Sequence, residues 1–165
     1  MILACLFLLA AQQEAAVRIY EQSFTQVEAE KNWSQAFTNG YLKQNAIEVT
    51  PQELDAVRKK FPENLRRGRA ADTFITAIAT NFKAQRALYR KHGGRVALSA
   101  FGTHIAIDAT VAEMKLLEKS GQITFSSPAI REAFYQKILN SRGDGLTQGK
   151  NADEAFSHAP WDPKP

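Results

Sequence analysis

The sequence predicts a mostly α-helical domain with one or two very short strands. Three observations predict it. Helix-start signals recur at Thr25, Thr50 and Ser127. The stretches after them carry apolar residues three or four apart, the spacing of one helical face. Alternating apolar stretches, by contrast, are brief, at 17–20 and 123–125. A length of 165 residues suggests one domain, and a hydrophobic content of 44% is enough to bury a core. The formal charge of +4 is mild and does not by itself imply nucleic acid.

The chain begins with an uninterrupted apolar run at 2–11. It has the length of a signal-peptide core and is too short to span a bilayer. It shows no amphipathic period, so an export signal is read here rather than a buried helix. Small residues at Ala10 and Ala11 offer a cleavage point, with Gln12 leading the mature chain. The only cysteine, Cys5, follows Ile2-Leu3-Ala4 as in a lipoprotein box. Its apolar run comes after it rather than before, which argues against a lipid anchor. A chain cut after Ala11 has no thiol for a disulfide, a nucleophile or a metal.

Residues 17–20 read as a small strand. Thr25 and Glu28 form a capping box, in which the threonine oxygen accepts from the third helical N–H and the glutamate reaches back. The helix beyond it places Val27, Trp33, Phe37 and Tyr41 on roughly one face. Gly40 lowers helix propensity without ending the pattern. Thr50 is a second cap, with Pro51 at the first helical position and Glu53 completing the box. The short helix there runs through Leu54 and Val57 and stops before Pro62.

Residues 58–69 hold six cations, Arg58, Lys59, Lys60, Arg66, Arg67 and Arg69, against one acid. Such a run is expected as a solvated basic surface, able to meet an acidic partner or lipid headgroups. Asp72 is read as the cap of a long helix with Ile75, Ile78, Phe82 and Tyr89 on one stripe, ending at Gly93. A helix from Asp108 carries Val111, Met114 and Leu117 and stops at Gly121. Residues 123–125 alternate as a strand, and Ser127-Pro128 opens what reads as the last helix, with Ile130, Phe134 and Ile138. From Asn140 onward Gly, Asn, Asp and Pro dominate without period, as in a flexible tail. Arg142-Gly143-Asp144 matches the cell-adhesion tripeptide, a match that arises easily by chance. The expected division is therefore a leader at 1–11, a helical domain at 12–139 and a tail at 140–165.

No catalytic motif stands out. His92, His104 and His158 have no second histidine or carboxylate at a strong metal-ligand spacing, so no metal site is expected and His104 reads as a hydrogen-bonded structural residue. Ser99 and Ser126 lack a hydrolase elbow, and there is no phosphate loop or dinucleotide fingerprint, so no cofactor is expected. Glu113 and Glu118 share a helix with Lys115 and Lys119 and read as solvated salt-bridge partners. Lys83, Arg86 and Arg90 make a basic edge on the long helix, beside Phe82 and Tyr89. No recognised module makes it a nucleic-acid site.

Three stretches carry a resemblance. VRIYEQSFTQVEAE, at 17–30, is similar to the start of the SurA-like, parvulin-associated chaperone N-terminal domain: a short strand, a turn and a threonine-capped helix with glutamate three residues on. YLKQNAIEVTPQELDAV, at 41–57, resembles the same family's helix end, extended link and Thr-capped short helix. A long helix ending KAQRALYRKHGG completes the match over 17–92. Residues 93–139 look like the C-terminal part of small secreted bacterial proteins with this N-terminal half. No parvulin isomerase pattern follows Gly94. The resemblance implies a periplasmic or secreted, non-catalytic protein that binds unfolded or extended polypeptide. Prolyl cis–trans isomerase activity is the enzymatic alternative. An envelope-interaction or immunity protein using the basic surface at 58–69 is the third. Trp33, Phe37, Tyr41, Phe82 and Tyr89 are the expected peptide-groove residues. The strand at 17–20 is expected to pair with 123–125 or 96–98.

Overall fold

The computed structural model describes residues 15–99, 104–141 and 145–162. The leader, Cys5, the cleavage point, Gly102 and the Arg142-Gly143-Asp144 tripeptide lie outside the described residues. Helices dominate. In chain order they are α1 (Gln26–Gln44), α2 (Pro51–Lys59), α3 (Arg69–His92), α4 (Ile107–Lys119), α5 (Pro128–Leu139) and α6 (Lys150–Ser157). The strands are β1 (Val17–Ile19), β2 (Gln22–Phe24), β3 (Val96–Leu98), β4 (Ile105–Ala106), β5 (Ile123–Phe125) and β6 (Gly145–Thr147). They form two antiparallel three-stranded sheets, β2-β1-β5 and β4-β3-β6.

β1 exists to be paired. Val17 lies opposite Phe125 and Ile19 opposite Ile123. Val17, Ile19 and Ile123 turn into the core while Arg18 faces out, donating to the Gly121 carbonyl at 2.8 Å. A ribbon this short is marginal alone, and α1, α4 and α5 cover it.

Both threonine caps form as complete boxes. Glu28 N–H donates to the Thr25 hydroxyl at 3.3 Å, and Thr25 N–H donates to the Glu28 carboxylate at 2.9 Å. The same pair of bonds joins Thr50 and Glu53 at 3.2 and 2.7 Å. Each satisfies N–H groups that a helix start otherwise leaves open. Ser127 caps α5 through the Ile130 N–H at 3.3 Å.

The core face of α1 differs from the expected stripe. Phe37 and Tyr41 face inward as expected, but Val27 is 63% exposed and Trp33 only half-buried, and Ala29, Ala36 and Leu42 complete the inward face. α3 starts at Arg69 on Gly68 rather than at Asp72, whose carboxylate sits in the first turn and takes the Arg58 guanidinium at 2.7 Å. Its buried stripe runs Ile75, Ile78, Ala79, Phe82, Gln85, Leu88, so Leu88 takes the inward place expected of Tyr89. Gln85 is tied into the second sheet: its Oε1 accepts from Ala106 N–H at 2.8 Å and from the Thr110 hydroxyl at 3.3 Å.

The chain leaves α3 through Gly93 and Gly94. At Gly94, with φ +98°, a Cβ would stand 2.6 Å from the Asp108 Cβ. That closeness lets Asp108 hold the Arg95 N–H at 2.8 Å and its guanidinium at 2.7 Å, closing the turn into β3.

The division at residue 140 needs correction. Residues 145–162 are not a loose tail: β6 adds to β3, Ala152 and Phe156 of α6 are buried, and Trp161 is only 6% exposed. Two large aromatics in a polar, glycine-rich stretch supply enough apolar surface to hold it on the domain, at about 25 cal/mol per Å² buried. α5 is therefore not the last helix.

Candidate functional site

The site is built on one face of α3. Phe82, Lys83, Arg86, Ala87, Arg90 and Lys91 recur at intervals of one, three and four, which brings them to one side of a helix. The C-terminal segment crosses this face. Trp161 meets Phe82 edge-to-face at 5.1 Å, and Phe156 lies against Phe82 at 5.9 Å and Tyr89 at 5.1 Å. The Tyr89 hydroxyl donates to Asp153 at 2.7 Å, and the Arg86 guanidinium donates to the Ser157 carbonyl at 2.8 Å. Asp162 closes the final turn by accepting from Ala159 N–H at 2.9 Å. Between this segment, α3 and the Ile47 link lies an open cleft of about 520 Å³. Its floor is apolar, from Phe82, Ala87, Ala159 and Trp161, and its rim is cationic.

The rim cations are not equivalent. Lys83 is held by the Glu53 carboxylate at 2.9 Å and by the Glu48 carbonyl, so the second capping box also anchors α2 to α3. Glu53 thereby titrates below the usual carboxylate range: burial opposes this, and the Thr50 and Lys83 hydrogen bonds overcome it. Lys91 is neutralised by Glu113 at 2.8 Å. Arg86 and Arg90 remain. Burial lowers the Arg86 pKa, and the like charge of Arg90 lowers it further, while Asp162 pulls the other way. Arg86 Nε is buried without a hydrogen-bond partner among the described residues. Arg90 is exposed and has no ion-pair partner among them. Two neighbouring guanidiniums over an apolar floor fit a ligand with an anionic group beside an apolar one. Burial, followed by the Asp153 bond, pushes the Tyr89 hydroxyl up to about 12, which suits a structural donor rather than a proton carrier.

The five expected groove residues do not form one groove. Phe37, 0% exposed, and Tyr41 stack on each other at 6.0 Å inside the core. Trp33 is half-buried, edge-on to Phe134 at 5.8 Å. Tyr89 is half-buried under α6. Only Phe82 borders the cleft. Aromatics at helical spacing went where helix packing most needs their area. The cleft's other walls come from Arg86, Arg90 and Trp161; the basic edge was visible in the sequence, whereas Trp161 lay in the stretch read as tail.

The remaining candidates fall elsewhere. Of the cations at 58–69, Arg58 pairs with Asp55 and Asp72, and Arg66 donates to the Phe61 and Lys59 carbonyls. Lys59, Lys60, Arg67 and Arg69 are exposed. Glu113 is not solvated: it is 5% exposed and shares one oxygen between Lys91 and His92, the latter at 2.7 Å. Burial pushes its pKa up, but these two partners pull it below the usual value. Glu118 pairs with Arg131 at 2.6 Å and accepts from Tyr135, not from Lys119. His104 Nδ1 accepts from Ser99 N–H at 3.2 Å, the structural role expected of it.

Among the described residues no cluster of His, Cys, Asp and Glu could hold a metal ion, and no helix is long and apolar enough to cross a membrane. No family model, curated protein or solved structure matches the chain.

Proposed function

We propose that this chain is a non-catalytic polypeptide-binding protein of chaperone type, which takes an extended segment into the cleft between α3 and the C-terminal segment. The observation that carries the reading is the pairing of Arg86 and Arg90 with the apolar floor of Phe82, Ala87 and Trp161. An extended segment bearing an acidic side chain next to an apolar one matches both halves. Affinity would come mainly from apolar burial, less the ordering of the bound segment. The resemblance of residues 17–92 to SurA-like N-terminal domains supports the chaperone class. The apolar leader at 2–11, taken as an export signal, makes the periplasm the proposed compartment.

Light scattering of a thermally unfolded client tests this. The protein should suppress aggregation near stoichiometric ratios and retain most of that effect in high salt, because apolar contacts are not screened. Arg90→Glu should weaken suppression without changing the fold. A parallel assay on proline-containing peptides should show no acceleration of cis–trans isomerisation. Absence of suppression at several-fold excess removes the reading, and accelerated isomerisation replaces it with the enzymatic one.

A further inference from the structure

The corner around residues 58–74 lies apart from the cleft and is independent of the function proposed for it. Six cations against one acid in 58–69 exceed the +4 of the whole chain, so this corner is where the charge concentrates. Arg58 is neutralised by Asp55 and Asp72. Arg66 is used as a bracket, folding the link back through the Phe61 and Lys59 carbonyls while keeping its charge. Lys59, Lys60, Arg67 and Arg69 stay in solvent. Arg67 has only a stretched 3.5 Å contact with Glu63, and the two side chains are 85% and 79% exposed.

Among these cations sits an open aromatic pair. Phe74 is 49% exposed and packs edge-on to Phe61 at 5.5 Å. Phe61 follows Lys60 in the chain and accepts from Arg66, so aromatic and basic groups form one patch. Helix stability does not explain the charge. Arg66, Arg67 and Arg69 cluster at the positive, N-terminal end of α3, where cations are disfavoured.

We propose that this corner docks on an anionic lipid surface, with Phe74 and the edge of Phe61 entering the headgroup region and Lys59, Lys60 and Arg67 over the phosphates. The partner must offer diffuse negative charge directly beside an apolar medium, as a membrane interface does. Two exposed lysines and an arginine on a stretched contact present smeared charge on flexible stems, which suits fluid headgroups better than the fixed carboxylates of a protein partner.

Co-sedimentation of the full chain with phosphatidylcholine vesicles, and with vesicles that also contain phosphatidylserine, tests the proposal. Binding should be at least about tenfold stronger to the anionic vesicles and should fall with salt, each cation contributing about fivefold. Lys59→Gln with Lys60→Gln should weaken it more than about tenfold by the same rule. These two residues are exposed, so the fold should persist, as circular dichroism would verify. Residues 2–11 are common to every variant, so any binding through them cancels in the comparison. Phe74→Trp should show a blue-shifted emission increment only with anionic vesicles. Equal binding to both vesicle types, or binding unchanged by the lysine pair, overturns the proposal. Charge-dependent binding without the Phe74→Trp shift also overturns it, and points to an acidic macromolecule instead.

Discussion

Gly40 occupies the interior of α1, where alanine is ordinarily the better residue by roughly 0.5–1 kcal/mol. Here that gain should reverse. A Cβ at Gly40 would lie 2.2 Å from Tyr20 Cδ2 and 2.3 Å from Cε2, inside the ring rather than beside it. Ordinary contact begins near 3.4 Å, so the ring would have to retreat by about 1.2 Å. It has little freedom to do so. Tyr20 sits at φ +52° in the turn between β1 and β2, and its N–H is bound to the Gln122 carbonyl at 2.7 Å. Moving the ring means moving the turn, and with it the register of Ile19 against Ile123.

Overpacking of this kind costs about 1–3 kcal/mol. Less the propensity gain, Gly40→Ala should destabilise by about 1–2 kcal/mol, lowering Tm by about 2–8 °C in a domain of this size. Urea unfolding followed by far-UV circular dichroism measures it. A double-mutant cycle isolates the cause: in a Tyr20→Gly background, Gly40→Ala should stabilise, because the obstacle is gone and only the propensity gain remains. The coupling between the two sites should be about 2 kcal/mol. If Gly40→Ala raises Tm in the unmodified chain, or if the two effects simply add, the contact between ring and glycine is not what fixes this position.

Thr50→Ala should destabilise by about 1 kcal/mol through loss of the cap bond to Glu53 N–H, read as a shift in the urea midpoint with unchanged slope. Trp161→Ala should cost about 3–5 kcal/mol, the figure for a buried aromatic and far above that for a residue of a free tail; thermal melts decide between the two. Asp108 is held below its usual pKa first by its hydrogen bond to the Arg95 guanidinium. It therefore contributes stability that is present above the unfolded value of about 3.9 and is lost as pH falls through the lower folded value. Asp108→Asn should accordingly be less stable at neutral pH and show a shallower fall in stability below about pH 4.

What the sequence disclosed about the fold, and what it hid, follows from the range of each interaction. Thr25 with Glu28 and Thr50 with Glu53 are legible because all the partners of a capping box lie within four residues. The pairing of 17–19 with 123–125 was legible only as one of two options, since alternation marks a strand but not its partner. β4 and β6 were invisible: two or three residues carry too little pattern, and their pairing is set by β3 and by Gln85 across the core. The segment 145–162 was misjudged because composition averages over a stretch, while Phe156 and Trp161 act singly. Two aromatics docked on Phe82 outweigh the Gly and Pro around them.

The candidate site was half legible for a related reason. Lys83, Arg86 and Arg90 share a helical face whatever the tertiary structure, so a basic edge could be read directly. Which of those cations is free could not be read, because their acids come from elsewhere: Glu53 reaches Lys83 from α2 and Glu113 reaches Lys91 from α4. Helical spacing likewise leaves an aromatic's destination open. Phe37 and Phe82 carry the same signal and both are buried, yet only Phe82 lies under the cleft, because the C-terminal segment crosses α3 over Phe82 and Tyr89. Arg86 shows the tension this creates. The crossing segment buries its Nε and gives its guanidinium the Ser157 carbonyl and the attraction of Asp162, while the like charge of Arg90 opposes it. A lone structural arginine would be cheaper without that neighbour. The acidic group of the proposed ligand would offset that repulsion, which makes the cleft rather than the buried aromatic stripe the place to test for one.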